Sequence, residues 1–148
     1  MPESTGTNEE DNAMKREKSC GAVIFREEAG GREYLVLHST QGHTTLCKGH
    51  VEGDETEHET AVREIMEETG LRVDFVDGFR ADIAYSPRPG VDKDVVFFLA
   101  RRSGGTLACQ PEEVADARFL PFEGAMAALT HPSDREVLER ANAFLEWG

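Results

Sequence analysis

The sequence predicts an α+β fold in which a mixed β-sheet lies between helices. Short runs rich in β-branched and aromatic residues alternate with turn residues, which is typical of strands. Two longer segments instead have apolar residues at helical spacing. At 148 residues, the chain has the length of one domain with a sizeable core. We therefore expect a single domain over residues 18–148.

The first residues predict a tail followed by a hairpin. Residues 1–17 are polar, acidic and nearly devoid of large apolar side chains, which predicts a disordered acidic tail. Residues 19–26 and 33–38 are apolar runs typical of strands, and Gly30-Gly31 between them indicates a turn. Residues 39–48 are expected to form a loop.

A helix is predicted over residues 56–69. The segment contains neither Pro nor Gly, and Thr56 is a good N-terminal cap. Gly70 stands where a left-handed residue ends a helix. One apolar stripe has the spacing of a single helix face and consists of Ala61, Val62, Ile65 and Met66.

The next segment predicts the middle of the sheet. Residues 72–85 contain one or two strands around a turn at Asp77-Gly78, and residues 86–92 have the Pro and Gly content of a loop. Residues 95–100 are continuously apolar, which predicts a central strand buried on both faces.

The last part predicts two short strands and a helical region. The strands are expected at residues 106–108 and 117–120. The helical region is broken at Pro132, and residues 134–147 follow as the terminal helix. Its apolar positions are spaced for docking on a sheet, and they are Val137, Leu138, Ala141, Phe144 and Leu145.

Composition narrows the partners. The formal net charge is −13, from 29 acidic and 16 basic residues. The negative electrostatic field of the chain therefore disfavours binding to DNA and to anionic membranes. We expect no membrane span, because no apolar run reaches about 18 residues, and no signal-peptide pattern is present. Three scattered cysteines without a CxxC pair fit a reduced cytoplasmic protein.

Three glutamates carry the main chemical signal. Glu64, Glu67 and Glu68 stand at i, i+3 and i+4, so their carboxylates converge on one face of the predicted helix. Like charges at this spacing oppose helix formation. A hard divalent cation reverses that penalty, because Mg²⁺ takes oxygen ligands and shares them with substrate phosphates. The alternative for such a run is a solvated acidic face.

The flanking residues favour the metal site over the solvated face. Arg63 lies inside the cluster and can form a charge-assisted pair with Glu55. Gly49, Glu55, Arg63 and Gly70 also have fixed positions in the segment GHVEGDETEHETAVREIMEETGL, which begins at Gly49. This segment is the complete Nudix box, and the chain is identified as a member of that family. The resemblance implies an α/β/α sandwich and a metal-dependent hydrolase that cleaves a pyrophosphate link in a nucleoside diphosphate derivative.

Outside the box, the chain is similar to asymmetric diadenosine tetraphosphate hydrolases over about residues 20–144. The matching segments are Cys20-Gly21, Ile24-Phe25-Arg26, KGHVE at 48–52, Gly78-Phe79-Arg80 before Tyr85, Lys93, and Arg118-Phe119-Leu120. The resemblance implies that Tyr85 stacks on an adenine and that Lys48 and Lys93 bind phosphates. Physical chemistry agrees, since an aromatic face supports base stacking and an ammonium group binds phosphate as a point charge. The alternatives are that Tyr85 is a strand residue with its hydroxyl at the surface and that Lys93 is a solvated edge charge.

The chain departs from that family just before the box. Residues 44–47 read Thr-Thr-Leu-Cys where the family usually has Trp-Thr-Pro-Pro. The approach to the box therefore lacks a stacking surface and a rigid proline pair. His43 is the candidate to replace the ring, as a stacking or phosphate-contacting group, and a solvated loop histidine is the alternative.

The resemblance also implies a mechanism. Glu64, Glu67 and Glu68 hold one to three Mg²⁺ ions, with Mn²⁺ as the alternative cofactor, and the backbone carbonyl of Lys48 is a further ligand. Glu64 is one candidate for the general base that deprotonates the attacking water. Glu113 is the candidate outside the box, as base or additional ligand, with Glu112 as its neighbour.

Several substrates remain open, and all are small nucleotides. Diadenosine tetraphosphate would give ATP and AMP. Pro87, 16 residues past the box, keeps ADP-ribose open, and an oxidised nucleoside triphosphate is a further alternative. The acidic surface disfavours RNA, although RNA 5′-end pyrophosphohydrolysis stays possible in principle. A catalytically silent nucleotide sensor is the remaining alternative, and the intact acidic box argues against it.

Overall fold

An eight-stranded mixed sheet forms the centre of the protein. The computed structural model describes residues 15–108 and 114–147. The predicted tail up to residue 14 and the candidates Glu112 and Glu113 lie outside the described residues. The strands are β1 Lys15–Glu28, β2 Gly31–Ser39, β3 Thr44–Thr45, β4 Cys47–His50, β5 Leu71–Phe75, β6 Ala81–Arg88, β7 Val91–Gly105 and β8 Val114–Pro121. The helices are α1 Glu57–Thr69, α2 Phe122–Ala128 and α3 Pro132–Trp147.

The middle of the sheet is a parallel pair, β1 and β7. β1 also pairs antiparallel with β2 near its end and with β4 nearer its start. β7 pairs antiparallel with β5 and β6, and β2 pairs antiparallel with β3 and β8. The predicted α+β fold with a mixed sheet is therefore confirmed.

Two apolar layers cover the two faces of this sheet. Residues 95–100 alternate between them, because Val95, Phe97 and Leu99 join one buried cluster and the intervening side chains join the other. α1 contributes to the second cluster, whereas α2 and α3 contribute to the first. The predicted central strand is thus buried on both faces, and the predicted docking of the terminal helix on the sheet is confirmed.

The limits of α1 follow from its caps. The Thr56 hydroxyl accepts a hydrogen bond from the Glu59 backbone N–H, and the Glu59 carboxylate accepts one from the Thr56 N–H. This capping box satisfies two otherwise unpaired donors. Gly70 ends the helix with φ +74°, in the left-handed region where glycine is favoured. Both ends of the predicted helix are therefore confirmed.

The predicted apolar stripe of α1 is only half correct. Ala61 and Ile65 are buried against the sheet, but Val62 is 51% exposed and Met66 is 46% exposed. Successive residues are about 100° apart around a helix. Only one of the two adjacent rows can therefore face the sheet.

Several strand boundaries correct the sequence predictions. β1 starts at Lys15, so residues 15–17 are strand, not tail. The predicted loop 39–48 contains β3 and the first half of β4. The predicted loop 86–92 is reduced to a turn at Gly90, because β6 and β7 continue into it and Pro87 falls where their register shifts. Residues 106–108 are not a strand; β7 itself runs to Gly105.

The first turn of α1 is fastened to the sheet by ion pairs. The Glu57 carboxylate accepts hydrogen bonds from Arg80 at 2.6 Å and 3.1 Å and from the Lys18 ammonium at 2.6 Å. These hydrogen bonds hold the pKa of Glu57 at about 2. A carboxyl group with a lowered pKa stabilises the fold above its ordinary pKa, and this stabilisation is lost as the pH falls towards 2.

We expect Glu57→Gln to lower the free energy of unfolding at pH 7 by about 1 kcal/mol, the scale of a partly exposed ion-pair network. The difference from the wild type should shrink below about pH 4.5, the ordinary pKa, and vanish near pH 2. Thermal melts across this pH range measure it. Glu136→Gln, which removes an exposed charge from α3, is the control. A Glu57→Gln deficit that stays constant with pH would contradict the assignment.

Candidate active site

Arg63 organises the acidic face of α1. Its Nε donates to Glu55 at 2.6 Å, and its Nη1 donates to Glu64 at 2.9 Å and to Glu67 at 3.1 Å. Its Nη2 donates to the backbone carbonyl of His50 at 2.8 Å. The predicted Arg63–Glu55 pair is therefore present, and the carboxylates raise the pKa of Arg63 above its ordinary value. One guanidinium thus joins the helix, the loop before it and the end of β4.

Glu55 is oriented by more than Arg63. Its Oε1 also accepts hydrogen bonds from the Glu52 backbone N–H at 3.0 Å and from the Thr60 hydroxyl at 2.8 Å. The hydrogen bonds from Arg63 and Thr60 together lower the pKa of Glu55 to about 2. Glu55 therefore stays ionised and acts here as a support for Arg63.

The strand β4 approaches α1 closely at Gly49. A Cβ atom at this position would lie 1.9 Å from the carboxyl carbon of Glu64. Glycine is required here because any side chain would occupy the place of that carboxylate. The glycine at the start of the box therefore makes room for one of the predicted metal ligands.

Glu68 is partly buried beside Cys47. Burial raises its pKa to about 8; the hydrogen bond from Cys47 opposes the shift, and the charge of Glu64 adds to it. The Cys47 thiol lies 3.2 Å from Glu68 Oε1. Burial also raises the pKa of Cys47, so this side chain is a buried thiol donor, not a nucleophile.

The donor chemistry of this face fits a hard divalent cation. Among the residues that the structure describes, no group of three His, Cys, Asp or Glu side chains has the geometry of an assembled metal centre. Arg63 instead binds Glu64 and Glu67, as described above. A buried carboxylate beside a second carboxylate is nevertheless costly without a neighbouring cation. Glu64, Glu67 and Glu68 are oxygen donors of the kind that Mg²⁺ prefers.

The predicted substrate-binding residues lie together around Lys48. Tyr85 on β6 is the cross-strand partner of Lys93 on β7. Burial and the charge of Lys48 lower the pKa of Lys93. Lys48 and Tyr85 line one cavity of about 200 Å³. The sheet thus brings Lys48 together with Tyr85 and Lys93, which lie 37 residues or more further along the sequence.

A second cavity connects Lys48 with the glutamates. It has a volume of about 290 Å³, and its lining includes Lys48, Glu68 and His43. Lys48 therefore belongs to both cavities, and a ligand that fills them would pass from the acidic helix to Tyr85. A larger cavity, about 590 Å³, lies between β2, β8 and α2, and its lining contains none of the predicted site residues.

His131 is a site residue that the sequence did not predict. It lines both cavities that contain Lys48, and its ring stacks on that of His43 with centroids 5.3 Å apart. The residue stands just before α3, 88 positions from His43. Its only sequence signal is the adjacent Pro132, which fixes where the helix starts.

The segment that contains Glu112 and Glu113 is bracketed by residues near the acidic helix. On one side, the backbone N–H of Ala108 donates to the carbonyl of Thr69, at the end of α1. On the other side, Val114 lines the cavity that contains Glu68. Ala108 and Val114, the described residues on either side of this segment, therefore lie near α1.

Comparison with known proteins agrees with this geometry. Residues 15–141 match the NUDIX domain. The asymmetrical bis(5′-nucleosyl)-tetraphosphatase of Rattus norvegicus is 36% identical over 140 residues, which cover 86% of this chain and 95% of the relative. The 8-oxo-(d)GTP phosphatase of Mycolicibacterium smegmatis is 35% identical over 150 residues, which cover 95% of this chain but 45% of the relative. The solved binary complex of the C. elegans Ap4A hydrolase superposes with a TM-score of 0.82 at 26% identity, covering 89% of this chain and 99% of that one.

A mixed sheet between helices, with an acidic helix whose carboxylates are hydrogen-bonded to an arginine of the same helix, defines the class of Nudix-fold hydrolases. The chain belongs to the Nudix family and is a Nudix pyrophosphohydrolase. The family resemblance predicted from the box, and the similarity to the asymmetric tetraphosphate hydrolases, are both confirmed. No helix among the described residues is long and apolar enough to cross a membrane.

Proposed function

We propose that the protein hydrolyses diadenosine tetraphosphate asymmetrically to ATP and AMP with the help of Mg²⁺. One observation carries the proposal most directly. Lys48 lines both the cavity that contains Glu68 and the cavity that contains Tyr85. The molecule therefore offers an acidic metal-binding helix, a cationic centre and an aromatic surface in one continuous path. A dinucleoside polyphosphate has the matching order of groups.

The acidic helix is the proposed metal site. Glu64, Glu67 and Glu68 would hold Mg²⁺ or Mn²⁺, with the Lys48 carbonyl as a further oxygen ligand. When bound, such a cation neutralises phosphate charge and lowers the pKa of a coordinated water. Arg63 fixes the directions of Glu64 and Glu67 through its Nη1 hydrogen bonds. Preset carboxylates lose little conformational entropy when they coordinate the cation.

A carboxylate must accept the proton of the attacking water. Glu64 is one candidate for this base, since Gly49 leaves its carboxyl group room at the end of β4. Glu113 is the second candidate, as base or additional ligand, with Glu112 beside it. Two observations on the flanking residues support this assignment: Ala108 donates to the carbonyl of Thr69, and Val114 lines the cavity that contains Glu68.

The substrate is held on the other side of Lys48. The Lys48 and Lys93 ammonium groups bind phosphate oxygens, and the negative polyphosphate in turn offsets burial and the charge of Lys48, which both lower the pKa of Lys93. Tyr85 is 38% exposed, which leaves its ring open to stack on an adenine. His131 and His43 offer a second ring surface near Lys48 and replace the missing tryptophan.

Product analysis tests the proposal. Diadenosine tetraphosphate, ADP-ribose and an oxidised guanosine triphosphate are incubated separately with the protein, with Mg²⁺ present or chelated, and the products are separated by anion exchange. We expect equal amounts of ATP and AMP from the first substrate, only when metal is present. Preference for ADP-ribose would give AMP and ribose phosphate. Preference for the oxidised triphosphate would give a monophosphate and pyrophosphate. Either preference would refute the proposed substrate and keep the family.

A further inference from the structure

Two hydrogen bonds connect β3, which precedes β4, to the segment before the start of α3. The backbone N–H of Thr44 donates to the Thr130 hydroxyl at 2.8 Å, and the N–H of Thr130 donates to the Thr44 carbonyl at 2.9 Å. Two residues further along, the N–H of Leu46 faces the Asp134 carboxylate at 3.4 Å. We call these contacts the 44/130 clip, formed by Thr44, Leu46, Thr130 and Asp134.

Whereas Thr130 is exposed, Asp134 is a buried member of this clip. The residue is 3% exposed, and burial raises the pKa of its carboxyl group. Asp134 lies in the first turn of α3, where a carboxylate interacts favourably with the helix dipole. The Asp134 carboxylate at the start of α3 therefore faces the backbone that precedes Lys48, not solvent.

The residues next to the clip line the proposed substrate path. His43 precedes Thr44, and His131 follows Thr130, so the clip sets the separation of the two stacked rings. Lys48 lies two residues beyond Leu46. On the far side, the Ser39 backbone N–H donates to the His43 carbonyl at 2.7 Å and completes the support of this loop.

Residues 44–47 contain no proline, so no fixed φ angle restrains the backbone there. The clip supplies rigidity from a segment more than 80 residues away. We propose that Thr130 is a positioning residue: its hydroxyl, through Thr44, holds the His43–His131 ring pair and Lys48 in the arrangement that binds a nucleotide polyphosphate. The inference rests on the proposed function only for the assignment of these cavities to the nucleotide.

The test compares Thr130→Val with Thr130→Ser. Valine has the shape of threonine but no hydroxyl, whereas serine keeps the acceptor. The hydrogen bond from the Thr130 N–H to Thr44 survives in both variants, so both should fold. The first measurement is the nuclear Overhauser contact between the ring protons of His43 and His131. The second is the affinity for ATP with Mg²⁺, measured by titration calorimetry.

We expect Thr130→Val to lose the ring contact and to bind ATP about tenfold more weakly, the scale of one lost hydrogen bond. Thr130→Ser should restore both properties. The inference is overturned if Thr130→Val keeps the ring contact, if its ATP affinity is unchanged, or if the wild type binds no ATP. Failure of the proposed function is distinguishable, because it appears in the wild type as an absence of ATP and AMP from diadenosine tetraphosphate.

Discussion

Replacing Glu68 with Gln should lower kcat by about 10³-fold or more, because the proposed Mg²⁺ site loses a charged oxygen ligand that its chemistry requires. The fold should survive. Gln has the same shape and can still accept the Cys47 hydrogen bond, and the change removes a carboxylate whose burial is unfavourable. Steady-state kinetics with the preferred substrate measure the loss, and Mn²⁺ binding followed by electron paramagnetic resonance measures the site itself.

Glu59→Gln is the matched control for this variant. It removes the same charge from the same helix, and glutamine can still complete the capping box with Thr56. Its activity and Mn²⁺ affinity should equal those of the wild type. If Glu68→Gln turned over substrate at the wild-type rate, the assignment of the acidic helix as the metal site would be wrong.

Gly49→Ala should lower kcat/KM by about 100-fold while the protein remains folded. The new Cβ would lie 1.9 Å from the Glu64 carboxyl carbon, so the carboxylate must move. A displacement of about 1 Å in a catalytic group can cost this much activity. Alanine is otherwise compatible with a strand, so the melting temperature should change little compared with the activity.

Gly30→Ala is the control for the glycine substitution. This glycine lies in the turn between β1 and β2, and a Cβ there would meet no atom within 4 Å. Its kinetics should match those of the wild type. Wild-type activity in Gly49→Ala would show that Glu64 can work from another position, and the proposed role of its placement by β4 would fail.

Local signals explain why α1 was predicted well. The Thr56 cap, the absence of Pro and Gly, and the terminal Gly70 all act within a few residues of the helix they limit. The Arg63–Glu55 pair was also within reach of the sequence, because the two residues lie on either side of one helix start. Elements of this kind are encoded by short-range interactions, which sequence reasoning can read.

Long-range pairing explains what was missed. β4 has four residues and no alternating pattern, and it is a strand because it pairs with β1. His131 joins the site only because α3 is docked beside β3. Thr130 binds Thr44 across 86 residues of sequence. The exposure of Val62 and Met66 depends on the orientation in which α1 meets the sheet. None of these features has a signal in the sequence near the residues concerned.

The pairing of β4 with β1 also fixes which residues at the start of the box face each side of the sheet. Gly21 is opposite Lys48 and Cys20 is opposite Gly49. Neighbouring residues of a strand face opposite sides of a sheet. A shift of β4 by one residue would therefore turn a lysine side chain towards the acidic helix and a glycine away from it. A single-residue insertion or deletion in this strand is consequently far less tolerable than many substitutions, because it exchanges the side of β4 that faces the acidic helix with the side that carries Lys48.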